Sequence, residues 1–253
     1  MTVERITSRS NKLVTHIRKL VSSRSYRSAQ GEYLCDGVKM LEEALQWKAP
    51  ITTVVATEDV RLPQLPEAVR VVLVPEDIMK SISPMESPQG VLVLVKMPDR
   101  QLPDTLAPGR YLVLEGVQDP GNVGTMLRTA DAYDADGMIL LTGCADLYNP
   151  KTVRSTMGAI FRREVWSCTL EQLKPLLAAS GLPLYGAALR HDTVDVREIS
   201  LSKCAMLIGS EGRGLSEEAL AACDKTVKIP MSERCESLNA AVAAATLLWE
   251  GYR

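Results

Sequence analysis

The chain has 253 residues, 46% of them hydrophobic, enough for one large or two ordinary domains with a sizeable core. Its 29 basic and 31 acidic side chains leave a net charge of −2, which argues against a protein that coats nucleic acid non-specifically. No run reaches about 18 consecutive apolar residues and none follows a basic start, so a soluble cytoplasmic protein with no membrane span or secretory signal is expected.

The average charge conceals an asymmetry. Residues 1–30 hold Arg5, Arg9, Lys12, Arg18, Lys19, Arg24 and Arg27 against the single acid Glu4. Such a segment suits a phosphate backbone, with Arg9, Lys12 and Arg27 as its candidate nucleic-acid contacts; a solvated basic helix fits the same charges equally well.

Helical spacing over Asn11–Val21 leads into a short strand at Glu32–Cys35 and a second helical stretch around Val38, Met40, Leu41 and Leu45. The β-branched runs Ile51–Ala56, Val69–Val74 and Gly90–Val95 read as strands, with a short helix at Pro75–Ser81. Together they predict a small α/β domain over residues 1–97. Residues 98–109, with Pro98, Pro103 and Pro108, have the composition of a linker. Beyond it, strands at Tyr111–Leu114, Gly137–Leu141, Leu184–Ala188, Ala205–Ile208 and Val227–Ile229 alternate with helical segments, the pattern of a parallel α/β sheet in a second domain, 110–253. The closing segment Leu238–Trp249 is a helix apolar on nearly every face; a core helix and an interface helix fit it equally.

Three motifs follow strands of this second domain, where open α/β sheets bind ligands. In the first, Asn122 suits the cap of a helix running to about Tyr133, and Arg128 sits one turn beyond Gly124, placed either to meet an anion or simply to face solvent. The second, Gly209-Ser210-Glu211-Gly212-Arg213-Gly214 before a Ser216 cap, lets backbone approach a ligand closely, yet its spacing is neither a dinucleotide fingerprint nor a phosphate-cradling loop. A nicotinamide-dependent oxidoreductase is thereby disfavoured. In the third, Ile229-Pro230-Met231 precedes Ser237-Leu238-Asn239, where Ser237 suits the cap of the last helix and Asn239 brings a polar amide into it. Cys35, Cys144, Cys168, Cys204, Cys223 and Cys235 form no Cys-x-x-Cys pair and only His16 and His191 could add imidazole, so no metal site is expected and most thiols should be buried and reduced.

With the three motifs in this order, the sequence resembles the SpoU/TrmH family of SPOUT methyltransferases over nearly its whole length. Asn122-x-Gly124-x-x-x-Arg128, Ile208-Gly209-x-Glu211-x-x-Gly214, and Ile229-Pro230-Met231 with Ser237-Leu238-Asn239 are similar to the family's three motifs. Asn149-Pro150-Lys151 with Arg154-Ser155 is similar to a family segment that helps form the RNA face, which adds Lys151 and Arg154 to the RNA-binding candidates. Residues 31–37 and 87–90 resemble the family's ribosomal-protein-like substrate-binding domain, with Asp36 where many relatives have Glu.

The resemblance implies a C-terminal SPOUT domain with a deep trefoil knot, an exception to ordinary connection rules. It implies S-adenosylmethionine as cofactor, held at Gly209, Ile229 and Leu238 and at Ala188 and Leu189, at the end of the strand Leu184–Ala188. It also implies a homodimer that methylates a ribose 2′-hydroxyl, in ribosomal RNA in preference to transfer RNA. Arg128, Asn122, Glu211, Ser237 and Asn239 would form the catalytic group, with Arg128 as a fixed positive charge, since a guanidinium with pKa above about 12 is a poor base. The rival is a non-catalytic RNA-binding protein of the same fold.

Overall fold

The computed structural model describes residues 3–190 and 193–253; His191 lies outside the described residues. The first elements are β1 (Val3–Arg5), α1 (Lys12–Ser22), α2 (Arg24–Gln30), β2 (Glu32–Asp36), α3 (Val38–Gln46), β3 (Ile51–Ala56), β4 (Arg70–Leu73), α4 (Glu76–Ile82) and β5 (Val91–Lys96). There follow β6 (Arg110–Leu114), α5 (Pro120–Ala132), β7 (Gly137–Leu141), α6 (Pro150–Ser155), β8 (Val165–Cys168), α7 (Leu170–Ser180) and β9 (Leu184–Ala187). The chain ends with β10 (Val194–Asp195), β11 (Cys204–Ile208), α8 (Glu217–Ala222), β12 (Lys225–Lys228) and α9 (Ala240–Tyr252). No helix among the described residues is long and apolar enough to cross a membrane.

The chain divides into two compact units, residues 1–99 with 146–161, and residues 100–145 with 162–253. In the first, a five-stranded sheet of order β1-β4-β3-β5-β2 is parallel through β1, β4 and β3 and antiparallel through β5 and β2. Helices α1 and α4 bury Val14, Ile17, Leu20, Ile78, Met79 and Ile82 against Leu34, Val55, Val72, Leu92 and Leu94 of one sheet face. Asn11 caps α1 by accepting from the Leu13 N–H at 2.8 Å, so a polar residue immediately before the apolar period starts the helix.

The segment 146–161, assigned by sequence to the second domain, packs with the first unit. Asp146 accepts two hydrogen bonds from the Arg27 guanidinium, at 2.6 and 3.1 Å, and the Tyr148 ring lies 4.7 Å from that of Tyr33. Arg27 is thus not a solvent-facing RNA contact: it is 3% exposed, and its remaining donors close the end of α1 at the Leu20 and Val21 carbonyls. A charge this deeply buried needs those partners, and one row of sequence cannot show that they exist.

In the second unit the described strands form a seven-stranded sheet of order β10-β12-β9-β11-β6-β7-β8, parallel at every pairing. From β6 the chain steps outward to β7 and β8, returns to β9 on the other side, and places β11 between. Strand order therefore reverses at the β6/β11 pair, which makes the loops leaving these strands the natural ligand-binding end. Helix α9 packs on α5 and on β6 and β11, burying Ala240, Ala241, Ala244, Leu247 and Leu248.

Two sequence expectations about helix starts are corrected. Asp119, not Asn122, caps α5: its carboxylate accepts from the Gly121 N–H, Pro120 takes the first helical position, and Asn122 lies within the first turn. Asn239, not Ser237, caps α9, accepting from the Ala241 and Val242 N–H groups at 2.9 and 3.3 Å. The short strands β1, β8 and β10 and the polar helix α2 carry too little apolar pattern to be read in advance. Cys35, Cys144, Cys168 and Cys204 are buried free thiols, and burial pushes Cys204 up to about 12 and Cys168 up to about 11.

Arg27→Met should lower the unfolding free energy by about 3–5 kcal/mol in equilibrium urea unfolding, because it strands the Asp146 carboxylate. A variant as stable as the parent would show that the pair does not hold 146–161 in place.

Candidate active site

Three loops at the C-terminal ends of β9, β11 and β12 surround one cavity of about 390 Å³ in the second unit. Its walls are Ala187, Ala188, Leu189, Ile208, Val227, Ile229, Met231, Leu238, Ala240 and Ala243, with Gly209, Gly212 and Gly214 leaving main chain uncovered. Charged and hydroxyl groups are few: Ser210, Glu211, Lys228, Glu236 and Ser237. A mostly apolar hollow with a few placed polar groups suits a flat, partly polar small molecule.

The loop after β11 is held by its own backbone. Ser210 and Gly214 exchange two main-chain hydrogen bonds, at 3.1 and 2.9 Å, and Gly214 takes φ +66°. Inside this turn a Cβ on Gly209 would lie 2.2 Å from the Gly214 carbonyl carbon, so only glycine fits. The Glu115 carboxylate, at the end of β6, accepts from the Ser216 N–H at 2.9 Å and its hydroxyl at 2.6 Å, while Ser216 caps α8. Sequence patterning missed Glu115; the available signal was an acid directly after a buried strand. The Asn122 amide donates to Glu211, joining the first turn of α5 to the same loop.

Strand β12 ends at Lys228, one residue earlier than its apolar run, because the residue before Pro230 leaves the ladder; Ile229 is thereby free to line the cavity. Of the predicted residues, Gly209, Ile229, Leu238, Ala188, Leu189, Glu211 and Ser237 line it. Asn122 reaches it only through Glu211, and Asn239 sits in the lining segment but spends its side-chain oxygen on the α9 cap. Arg128 is exposed on α5 outside the lining, with no hydrogen bond or ion pair among the described residues.

Of the predicted RNA contacts, Arg9 pairs with Asp77 at 2.8 Å, both side chains well exposed, and Lys12 is exposed in the first turn of α1. Lys151 and Arg154 are exposed on α6, where Arg154 touches the Met85 sulfur. Among the described residues no group of three or more His, Cys, Asp or Glu is arranged to hold a metal ion.

Residues 109–249 match the SpoU rRNA Methylase family, and residues 11–93 match an MRM3-like substrate binding domain. The protein is 32% identical to the 23S rRNA (guanosine(2553)-2'-O)-methyltransferase RlmP of Bacillus subtilis, over 98% of each chain. It is 31% identical to the 23S rRNA (uridine(2479)-2'-O)-methyltransferase of Streptomyces viridochromogenes, over 98% of this chain and 92% of that one. Among solved structures, the AdoMet-bound rRNA methyltransferase from Sinorhizobium meliloti superposes with a TM-score of 0.88 at 30% identity, covering 98% of this chain and 97% of that one.

Asn239→Ala should cost about 1 kcal/mol in thermal unfolding through loss of the α9 cap. Ser237→Ala should stay within about 0.5 kcal/mol of the parent; equal losses from the two variants would contradict the capping assignment.

Proposed function

Because this chain belongs to the SpoU rRNA Methylase family, we propose that it transfers a methyl group from S-adenosylmethionine to a ribose 2′-hydroxyl of ribosomal RNA. The observation that carries the reading is the cavity at the strand ends, with Glu211 tied to Asn122 at its edge. Its residues fit the cofactor. About 390 Å³ lies within the roughly 300–1,000 Å³ usual for small-molecule sites. The alanine and isoleucine walls suit an adenine ring, the bare glycine backbone offers polar groups at short range, and Glu211 and Glu236 supply negative charge for a cationic ligand. Ala188, Leu189, Gly209, Ile229 and Leu238 would hold the nucleoside.

When bound, S-adenosylmethionine supplies a methyl group already activated on a positively charged sulfur. What remains for the protein is alignment, which in well-oriented reactions corresponds to as much as about 7–11 kcal/mol, and stabilisation of the charge that develops on the 2′-oxygen. Arg128 provides a fixed positive charge for that oxygen or for an adjoining phosphate. Its guanidinium, with a pKa above about 12, does not act as a base. Asn122 orients Glu211 by their hydrogen bond, and Glu211 in turn orients the glycine loop or the ribose. Asn239 fixes the start of α9 and so the backbone of Leu238, with Ser237 at the mouth of the pocket.

The protein acts as a homodimer in the cytoplasm, and its C-terminal segment threads a trefoil knot. Val242, Trp249 and Tyr252 support dimerisation: all three are about half exposed on α9, and Tyr133, which follows α5, packs on the two aromatic rings. A second copy covering that face would also approach α5, the helix that carries Arg128 outside its own chain's cavity. Residues 110–253 form the catalytic domain and residues 1–97 the RNA-binding domain; Arg9 and Lys12 of the latter, with Lys151 and Arg154 of the former, are phosphate contacts. The exposed Arg9–Asp77 pair is worth little and opens readily to a phosphate. The substrate-binding domain at residues 11–93 favours ribosomal over transfer RNA.

The test is transfer of tritium from methyl-labelled S-adenosylmethionine to ribosomal RNA, with the label mapped to a 2′-O-methyl nucleotide; no transfer to any ribosomal RNA would overturn the proposal. Arg128→Ala should lower kcat by about 10²–10³-fold while S-adenosylmethionine affinity stays within about twofold, as expected for a group that acts on developing charge. Near-parental turnover would remove Arg128 from the chemistry.

A further inference from the structure

A second cavity, of about 630 Å³, lies in the first unit and plays no part in the methyl-transfer site. Its apolar wall is formed by Val21, Leu34, Met85 and Pro150, and its polar groups include Asp36, Lys151 and Arg154. Asp36, at the end of β2, accepts a hydrogen bond from the Ser83 hydroxyl at 2.8 Å, and that is the one hydrogen bond of its carboxylate among the described residues. An ionised carboxylate has about four lone-pair sites, so this one keeps acceptor capacity at the wall of the cavity. Burial pushes its pKa above the ordinary carboxylate range, while the Ser83 bond and the Arg154 charge hold it down.

Arg154 has the Met85 sulfur as its only hydrogen-bond contact among the described residues, a weak acceptor that leaves the guanidinium's strong donors to a ligand. Lys151 stands one turn earlier on the same helix. The exposed Glu86 is the other acid of the rim. The cavity therefore offers an apolar slot, a carboxylate seeking donors, and two cations at the mouth. A planar ring with a donor edge and an attached phosphate answers all three. Among RNA bases, guanine alone presents two adjacent donors, N1–H and the 2-amino group, that match the two oxygens of a carboxylate.

We propose that this cavity receives an unstacked guanosine of the RNA, with Asp36 reading the base edge and Lys151 and Arg154 holding the phosphate. Single-stranded RNA is commonly read in this way, by bases splayed from the stack into pockets. The inference rests on the reading that RNA is the substrate, and it adds a specificity residue, Asp36, remote in sequence from the methyl-transfer motifs.

The experiment is fluorescence anisotropy with four single-stranded decamers, uridine throughout except for G, A, C or U at one central position. The parent protein should bind the G decamer about tenfold more tightly than the others, the scale expected of one bidentate base contact. Asp36→Asn should bring the G decamer to within about twofold of the U decamer while S-adenosylmethionine affinity is retained. Arg154→Ala should weaken all four together and reduce the salt dependence by about one ion, as for a phosphate contact. Met85→Trp, which fills the slot without touching the carboxyl, should also erase the G preference and guards against a folding artefact in Asp36→Asn. Equal binding of the four decamers by the parent, no binding at all, or a G preference that survives Asp36→Asn would each overturn the pocket. Methyl transfer is measured separately: its absence alongside an Asp36-dependent G preference would overturn the catalytic reading and leave the pocket standing.

Discussion

Two neighbouring strands, β6 and β11, leave the sheet where strand order reverses, and the loops that follow them are tied together by hydrogen bonds, one of the loops being closed too tightly for any residue but glycine at position 209. Glu115 at the end of β6 accepts from both the backbone and the hydroxyl of Ser216, eight residues after β11 ends. Gly209 lies so close under Gly214 that a single methyl group would break the turn. Several features of the proposed site are built on this junction: the backbone of residues 209–214 forms one wall of the cavity, Glu211 projects from it to Asn122, and α8 starts from its far end. A tight main-chain turn is an economical way to shape a ligand pocket, since it needs no side-chain ordering and leaves polar backbone groups accessible.

The same junction explains the unusual composition of α9. The helix packs on α5 and on the two central strands, so its inner side must be small and apolar, and Ala240, Ala241 and Ala244 allow the close approach. Its outer side keeps Val242, Trp249 and Tyr252 in solvent. A helix apolar all round is normally enclosed; one that exposes three large side chains has a second surface to satisfy, and this is the physical basis for the proposed dimer.

In the first unit, burial separates basic residues that look alike in the sequence. Arg9 and Arg27 belong to one positively charged segment, yet Arg9 lies on the surface with an exposed acid while Arg27 is enclosed, its guanidinium spent on Asp146 and the end of α1. Charge density reports how many cations a segment has, not how many remain available to a phosphate. The polar cavity at Asp36 has the same character: its carboxylate is separated from Lys151 and Arg154 by more than a hundred residues and meets them through packing alone.

Periodicity and turn chemistry were sufficient for most of the architecture. The β-branched run at 51–56 and the apolar run at 137–141 coincide with strands end to end, and the alternation after residue 110 led to a parallel sheet, because side-chain period and strand length are local properties. The motif residues Gly209, Glu211, Ile229 and Leu238 could likewise be picked out in the sequence, and they share a cavity. Three-residue strands such as β1, the helix caps at Asp119 and Asn239, the Glu115–Ser216 clamp and the enclosure of Arg27 could not, since each is decided by which distant partner lies within about 3 Å. By itself, then, the sequence of this protein determined most of its elements, the parallel arrangement of the second sheet and the chemical types at its motifs, all of which depend on neighbours along the chain. Only the tertiary structure decided which cations face solvent, which residues cap and clamp, and which side chains share a cavity, because burial and hydrogen-bond pairing are properties of three-dimensional proximity.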